Sequence, residues 1–234
     1  MNNKIAVMQP YLFPYIGYFQ LINAADKFVL LDDVNYINKG WISRNNILVN
    51  NKPYLFTIPL KRSSQNKLIR DTEISYETDW QGKLLQTVKR SYSKAPYFKD
   101  VFSLISEPVL KNEKFISKLN YLCMINVCEY LGINSRIIES SQIYNNKDLK
   151  GEERIKDICI KENSQHYINL SGGMDLYSKE SFEKNNISLD FIKTKNIEYK
   201  QFKNEFFGSL SIIDVLMFNS KEKVCEYLME YEIL

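Results

Sequence analysis

Histidine is nearly missing from this chain: His166 is the only one in 234 residues. A zinc centre and a Ser-His-Asp hydrolase both draw on histidine, and the chain has neither the paired Cys/His spacing of the first nor the GxSxG turn of the second. Four cysteines, Cys123, Cys128, Cys159 and Cys225, form no CxxC pair. They are too few for a disulfide framework in so long a chain, and they read as reduced, buried thiols. No apolar run approaches the ~20 residues of a membrane-spanning helix. No secretory pattern opens the sequence, and the chain reads as soluble and cytoplasmic. An excess of one charge is also missing, since 31 Lys plus Arg stand against 28 Asp plus Glu, a formal net charge of +3. That excess is too slight to argue for a nucleic-acid partner. Internal repeats and low-complexity tracts are absent as well.

What is present begins with residues 4–33, KIAVMQPYLFPYIGYFQLINAADKFVLLDD. Lys4 to Met8 is a near-continuous apolar run of the kind buried in the middle of a parallel sheet. Gln9-Pro10 ends it, because proline lacks the ladder donor and turns the residue before it away from helix. Pro14 breaks the chain again and holds Tyr11, Leu12 and Phe13 in a constrained loop. Gly17 permits close backbone approach just before a short helix. In that helix Phe19, Ile22 and Ala25 are expected to face the sheet, with Gln20 and Asn23 outward. Residues 28–31 make a second buried strand that delivers Asp32 and Asp33 to its carboxyl end, the edge where open α/β sheets bind ligands.

Further on the period changes. Trp41, Ser43, Asn45, Ile47 and Val49, then Tyr54, Phe56 and Ile58, alternate, and Asn50-Asn51 between them predicts a hairpin turn. Lys61, Arg62 and Arg70 fall in a polar linker. From Asp79 the pattern is helical, with one helix to about Ser91, another from Pro96 and a third from Glu113 to Leu131, stopped by Gly132. A short strand at 136–138, a polar loop opened by Ser140-Ser141, a helix from Glu152 to Glu162 and a strand from Tyr167 to Leu170 follow. The remainder reads as Ser171-Gly172-Gly173, a helix near Tyr177 to Lys184, a strand at 188–192, and closing helices over Ser209–Met217 and Lys221–Tyr231. Strands alternating with helices on both sides of a helical block predict one α/β domain over residues 1–234. Its expected form is a Rossmann-like parallel sheet with a largely helical insertion at about 79–132 and a small β-hairpin region.

Several side chains are candidates for a site. Gln9, Tyr11, Tyr15 and Tyr18 could stack on a sugar or base and bind its hydroxyls, since aromatic rings with polar tips suit amphipathic ligands; they would serve equally as core. Gly17 suits a turn or a phosphate contact. Asp32 and Asp33 point to opposite faces if the strand continues, so at most one lines a pocket. There it would take a proton from an attacking amine or hold Mg²⁺ beside phosphates, or else cap the following turn. Arg44 is the strongest single candidate for an anion, because a guanidinium can grip carboxylate or phosphate through two parallel bonds. A surface salt bridge is its competing role. Asn45 and Asn46 could hold sugar hydroxyls beside it, and Trp41 could pack or stack. The backbone amides of Ser171, Gly172 and Gly173 could form an anion nest, though without the Lys-Ser/Thr of a P-loop. His166 has no predictable partner and is carried as a catalytic candidate.

The runs QPYLFPYIGYFQLI, LDDVNYINKGWISRNNI, KAPYF, GEERI, INLSGG with LYSKESF, and SLSIIDVLMFN resemble the WbqC-like protein family over nearly the whole chain. The resemblance implies a place in bacterial O-antigen, lipopolysaccharide or other surface-polysaccharide synthesis. It also implies a transferase that joins glycine or a related acyl group to an amino sugar. On that reading the small-molecule partners are an amino-sugar nucleotide and an acyl or amino-acid donor. The aromatic loop would hold the sugar, Arg44 a phosphate or carboxylate, and Asp32 or Asp33 would be the base. The opening element alone is similar to the HUP-like start of HxGH nucleotidyltransferases and pantothenate synthetase, whose paired histidines flank a glycine and bind the phosphates of ATP. Tyr15 and Tyr18 stand at those positions here, giving YIGY. Phenols stay neutral near pH 7, which favours binding a ring over activating ATP. This second resemblance would admit ATP with Mg²⁺ as cofactor, in a nucleotidyltransferase or amide ligase. A non-catalytic protein that binds a sugar intermediate is the further alternative.

Overall fold

The apolar runs become a single parallel core, seen in a computed structural model that describes residues 3–62, 64–202 and 205–234. β1 (Lys4–Met8) leads through the proline loop into α1 (Ile16–Ala24) and β2 (Lys27–Leu30). A hairpin of β3 (Arg44–Val49) and β4 (Lys52–Thr57) follows, then α2 (Trp80–Tyr92), α3 (Phe98–Val109) and α4 (Ile116–Leu131). β5 (Arg136–Ile138), α5 (Gly151–Lys161), β6 (His166–Leu170), α6 (Lys179–Glu183) and β7 (Ser188–Thr194) resume the alternation. α7 (Ile212–Phe218), α8 (Lys221–Tyr227) and β8 (Tyr231–Ile233) close it.

The six-stranded sheet has the order β5-β2-β1-β6-β7-β8, parallel throughout except for the antiparallel β7·β8 pair. This is a Rossmann-like α/β sheet, and its strand order reverses between β1 and β6. β3 and β4 form a separate two-stranded sheet.

Side-chain alternation divides the core. Ile5, Val7 and Val29 pack with Ile155, Ile158, Cys159 and Phe182 under α5 and α6. Ala6 and Phe28 point the other way, into a larger core with residues of α1, α4, α7, α8 and the hairpin. Local signals behave as their chemistry demands. Asp79 accepts from the Gly82 amide at 2.8 Å to cap α2. Gly132 ends α4 at φ +74°, and Asn50 and Asn51 take φ of +51° and +57° in the hairpin turn.

Two expectations fail. Gln20 is fully buried rather than outward: its amide donates to the carbonyls of Tyr227 and Glu230 at 2.7 and 3.0 Å, and its oxygen accepts from Thr194 Oγ1 at 2.7 Å. α1 lies between the sheet and the chain's carboxyl-terminal segment, so both of its faces are covered. The last helix stops at Tyr227 instead of Tyr231, and Tyr231–Ile233 pairs along β7. Three residues are too few to display a period.

The proline loop is held by side chains from across the fold. Asn45 Nδ2 donates to Leu12 O at 2.9 Å and Phe13 O at 2.8 Å, Asn120 Nδ2 to Pro10 O at 2.9 Å, and Ser211 Oγ to Phe13 O at 2.7 Å. A buried carbonyl without a donor is costly, and these bonds let an irregular segment lie inside. Asn45→Ala is expected to lower unfolding free energy in urea by about 1–3 kcal/mol, the usual penalty for orphaning a buried acceptor. An unchanged midpoint would contradict the clasp.

Candidate functional site

Beyond Leu30 the chain runs beside a second segment that the sequence places far away. Ile69 N donates to Val34 O and Arg70 N to Asp32 O, each at 2.9 Å, and Asn35 bridges to Leu68. A short 3-10 turn, Ile69–Asp71, is thereby laid at the carboxyl end of β2. The loop after β5 meets the same point: Ser140 Oγ donates to Asp32 Oδ1 at 2.7 Å, and Ser141 Oγ donates to Asp33 Oδ1. Arg154, from α5, places Nη2 on Asp33 Oδ1 and Nε on Asn146 Oδ1 at 3.1 Å. Both members of this ion pair are at least nine-tenths buried.

Together these segments enclose a cavity of about 690 Å³ over the carboxyl ends of β2 and β5 and against the first turn of α5. Its wall carries Asp33, Asn35, Arg70, Gln142, Asn145, Lys147, Asp148, Lys150, Arg154 and Tyr177. Four cations thus stand against two carboxylates, one of which is already paired with Arg154. Arg70 Nε and Nη1 are buried and, among the described residues, have no hydrogen-bond partner. Gly151 turns the chain into α5 at φ +52°, a left-handed value that suits glycine, with nothing where a side chain would project. Lys150 before it is extended and gives no side-chain cap, so the wall includes the uncapped start of a helix.

The two aspartates differ in environment. Asp33 lines the cavity and both of its side-chain bonds end on Oδ1. Asp32 is buried, and burial pushes its carboxyl up from the usual range to about 6, against the opposing bond from Ser140 and with a further upward push from the charge on Asp33. Among the described residues no group of three or more His, Cys, Asp or Glu side chains is placed to hold a metal ion.

The other candidates are dispersed. Tyr18 is fully buried and donates its hydroxyl to Gln9 O at 2.7 Å, with Tyr11 tilted against it at 5.6 Å between ring centres. Tyr15 lines a second cavity, of about 370 Å³, with Thr194, Tyr199 and Phe206. Gly17 is wedged there, since a Cβ would lie 2.4 Å from the Tyr15 ring and 2.5 Å from Thr194 Oγ1. Trp41 is 44% exposed, with the Arg44 guanidinium 5.8 Å from its ring centre and bonded to Lys39 O. Asn45 is the loop clasp described above. Ser171, Gly172 and Gly173 open a 3-10 turn at the end of β6, where Gly173 packs on Asn169. His166 begins β6 at the opposite, amino-terminal edge of the sheet, with Nε2 2.7 Å from Asp190 Oδ2.

Of the sequence candidates, then, Asp33 alone lines the large cavity; Arg70, Arg154 and the two lysines join it from segments read as linker, helix and loop. Arg154 carried a signal, for it stands four residues before Ile158 on the inward face of α5, where a cation must be paired.

Fold and cavity define a Rossmann-like α/β protein with a basic cavity at the carboxyl edge of its sheet. The chain belongs to the WbqC-like protein family, whose model matches residues 9–226. It is similar to an uncharacterized protein, Rv1507c, of Mycobacterium tuberculosis (strain ATCC 25618 / H37Rv), with 28% identity over 228 residues that cover 96% of this chain and 97% of that one. No solved structure matches the chain. Among the described residues no helix is long and apolar enough to cross a membrane.

The raised Asp32 carboxyl makes a test of the site's electrostatics. The folded state holds its proton to about pH 6 and the unfolded chain only to about 3.8. Asp32 therefore adds stability at low pH that is lost as pH rises through this window. Urea unfolding at pH 5 and pH 7 is expected to show the wild type gaining stability at pH 5 relative to Asp32→Asn. Parallel behaviour of the two proteins would contradict it.

Proposed function

We propose that this protein is an acyl or aminoacyl transferase, with glycine among its donor groups, that forms an amide on an amino-sugar nucleotide in bacterial surface-polysaccharide synthesis. The observation that carries the reading is the basic cavity of about 690 Å³ at the carboxyl edge of the sheet, within the roughly 300–1,000 Å³ of small-molecule sites. Lys147, Lys150 and Arg70 suit phosphates, the amides of Asn35, Gln142 and Asn145 suit sugar hydroxyls, and the Tyr177 ring suits a base or sugar face. The pathway and the donor are what the resemblance to the WbqC-like family implies.

An ammonium must lose its proton before it can attack. Asp33 is the carboxylate on the cavity wall, held through Oδ1 by Ser141 and Arg154; its Oδ2 is the proton acceptor in this reading. The amine nitrogen bonds to the activated acyl carbon, and the bond from that carbon to the leaving group breaks, with the electron pair departing on the leaving group. Arg154 keeps the Asp33 side chain in one orientation throughout. The reading assigns the protein to the cytoplasm, with a nucleotide sugar and an acyl or amino-acid donor as its partners.

Mass spectrometry tests this directly. Purified protein incubated with nucleotide-linked 3-amino and 4-amino sugars, together with acyl-CoA or with glycine and ATP, is expected to yield a product heavier by the acyl or glycyl group. Unchanged substrate with every donor would overturn the reading.

A further inference from the structure

Arg70 is held in place, yet among the described residues its buried nitrogens have no hydrogen-bond partner. Its backbone is fixed on both sides: Arg70 N donates to Asp32 O at 2.9 Å, Ile69 beside it is fully buried, and Thr72 Oγ1 bonds Leu68 O at 2.8 Å. Arg70 lines the large cavity with a side chain that is 26% exposed, while its Nε and Nη1 are shielded from solvent and, among the described residues, lack an acceptor. The nearest carboxylate oxygen, Asp71 Oδ1, is 3.7 Å from Nε, past hydrogen-bond range, on a side chain that is 55% exposed. A guanidinium is always charged, and its buried donors call for an anionic oxygen. Lys147 and Lys150 stand on the same wall, and among the described residues neither forms an ion pair, while Arg154 is already committed to Asp33.

We propose that this wall is an anion subsite for the phosphates of a nucleoside diphosphate, with Arg70 as the residue that contacts them. The anion subsite stands on the cavity and the unmet donors; the nucleoside diphosphate rests on the transferase reading above. Arg70, on this account, is a binding residue with little structural duty, because among the described residues no side chain accepts from its buried nitrogens.

Isothermal titration of the full chain with UDP, dTDP, pyrophosphate and uridine tests both halves. At least one nucleoside diphosphate is expected to bind more tightly than pyrophosphate, with uridine showing no heat. Arg70→Gln should weaken that binding at least tenfold, and Arg70→Lys should recover part of it. The thermal midpoint of ligand-free Arg70→Gln should equal or exceed that of the wild type, which a structural arginine would not allow. Undetectable binding of all diphosphates by the wild type, or affinity unmoved by Arg70→Gln, overturns the subsite. Pyrophosphate bound as tightly as the nucleotides overturns the nucleoside assignment. Amide product formed at the wild-type rate by Arg70→Gln sinks this subsite and leaves the transferase standing. Arg70-dependent UDP binding without any amide product supports the subsite and sinks the transferase.

Discussion

The buried ion pair between Asp33 and Arg154 is the constraint on which the site depends. Removing two charges from water costs several kcal/mol per ion even after relaxation, and mutual attraction recovers this only in good geometry with further hydrogen bonds. Here Ser141 and Asn146 supply those bonds. The pair fixes the end of β2, the loop after β5 and the start of α5 relative to one another, and these three segments form most of the cavity wall. Losing either partner would strand the other charge inside, at a cost of about 3–5 kcal/mol. The pair also neutralises one arginine of the wall, which leaves the cavity's remaining positive charge on Arg70, Lys147 and Lys150.

The proline loop after β1 has a structural duty that its aromatics alone do not announce. Its carbonyls are gripped by Asn45, Asn120 and Ser211, and Tyr18 lies wholly within the core. Such a loop is a rigid hub joining the sheet to the hairpin, α4 and α7. The large cavity opens one strand away, beyond β2.

How far the sequence could be read follows from the range of the forces involved. Strands, caps and turns answer to neighbours within a few residues, and Asp79, Gly132 and Asn50-Asn51 announce themselves. The place of Asp33 follows from a buried strand ending at the edge where such sheets bind ligands. Arg70 had no comparable signal. A polar linker gives no periodicity, and Arg70 reaches the cavity because residues 67–70 pair with residues 32–36, a register set by tertiary packing. Gln20 was misplaced for a similar reason: its partners, Tyr227 and Glu230, lie more than two hundred residues away.

Whether phosphates bind this wall is the central claim, and a crystal structure of the protein grown with UDP tests it most directly. The account predicts density for the diphosphate in the cavity beyond β2 and β5, with phosphate oxygens within hydrogen-bond reach of the Arg70 guanidinium. Density at the start of α1 instead, beside Tyr15 and Gly17, would contradict it.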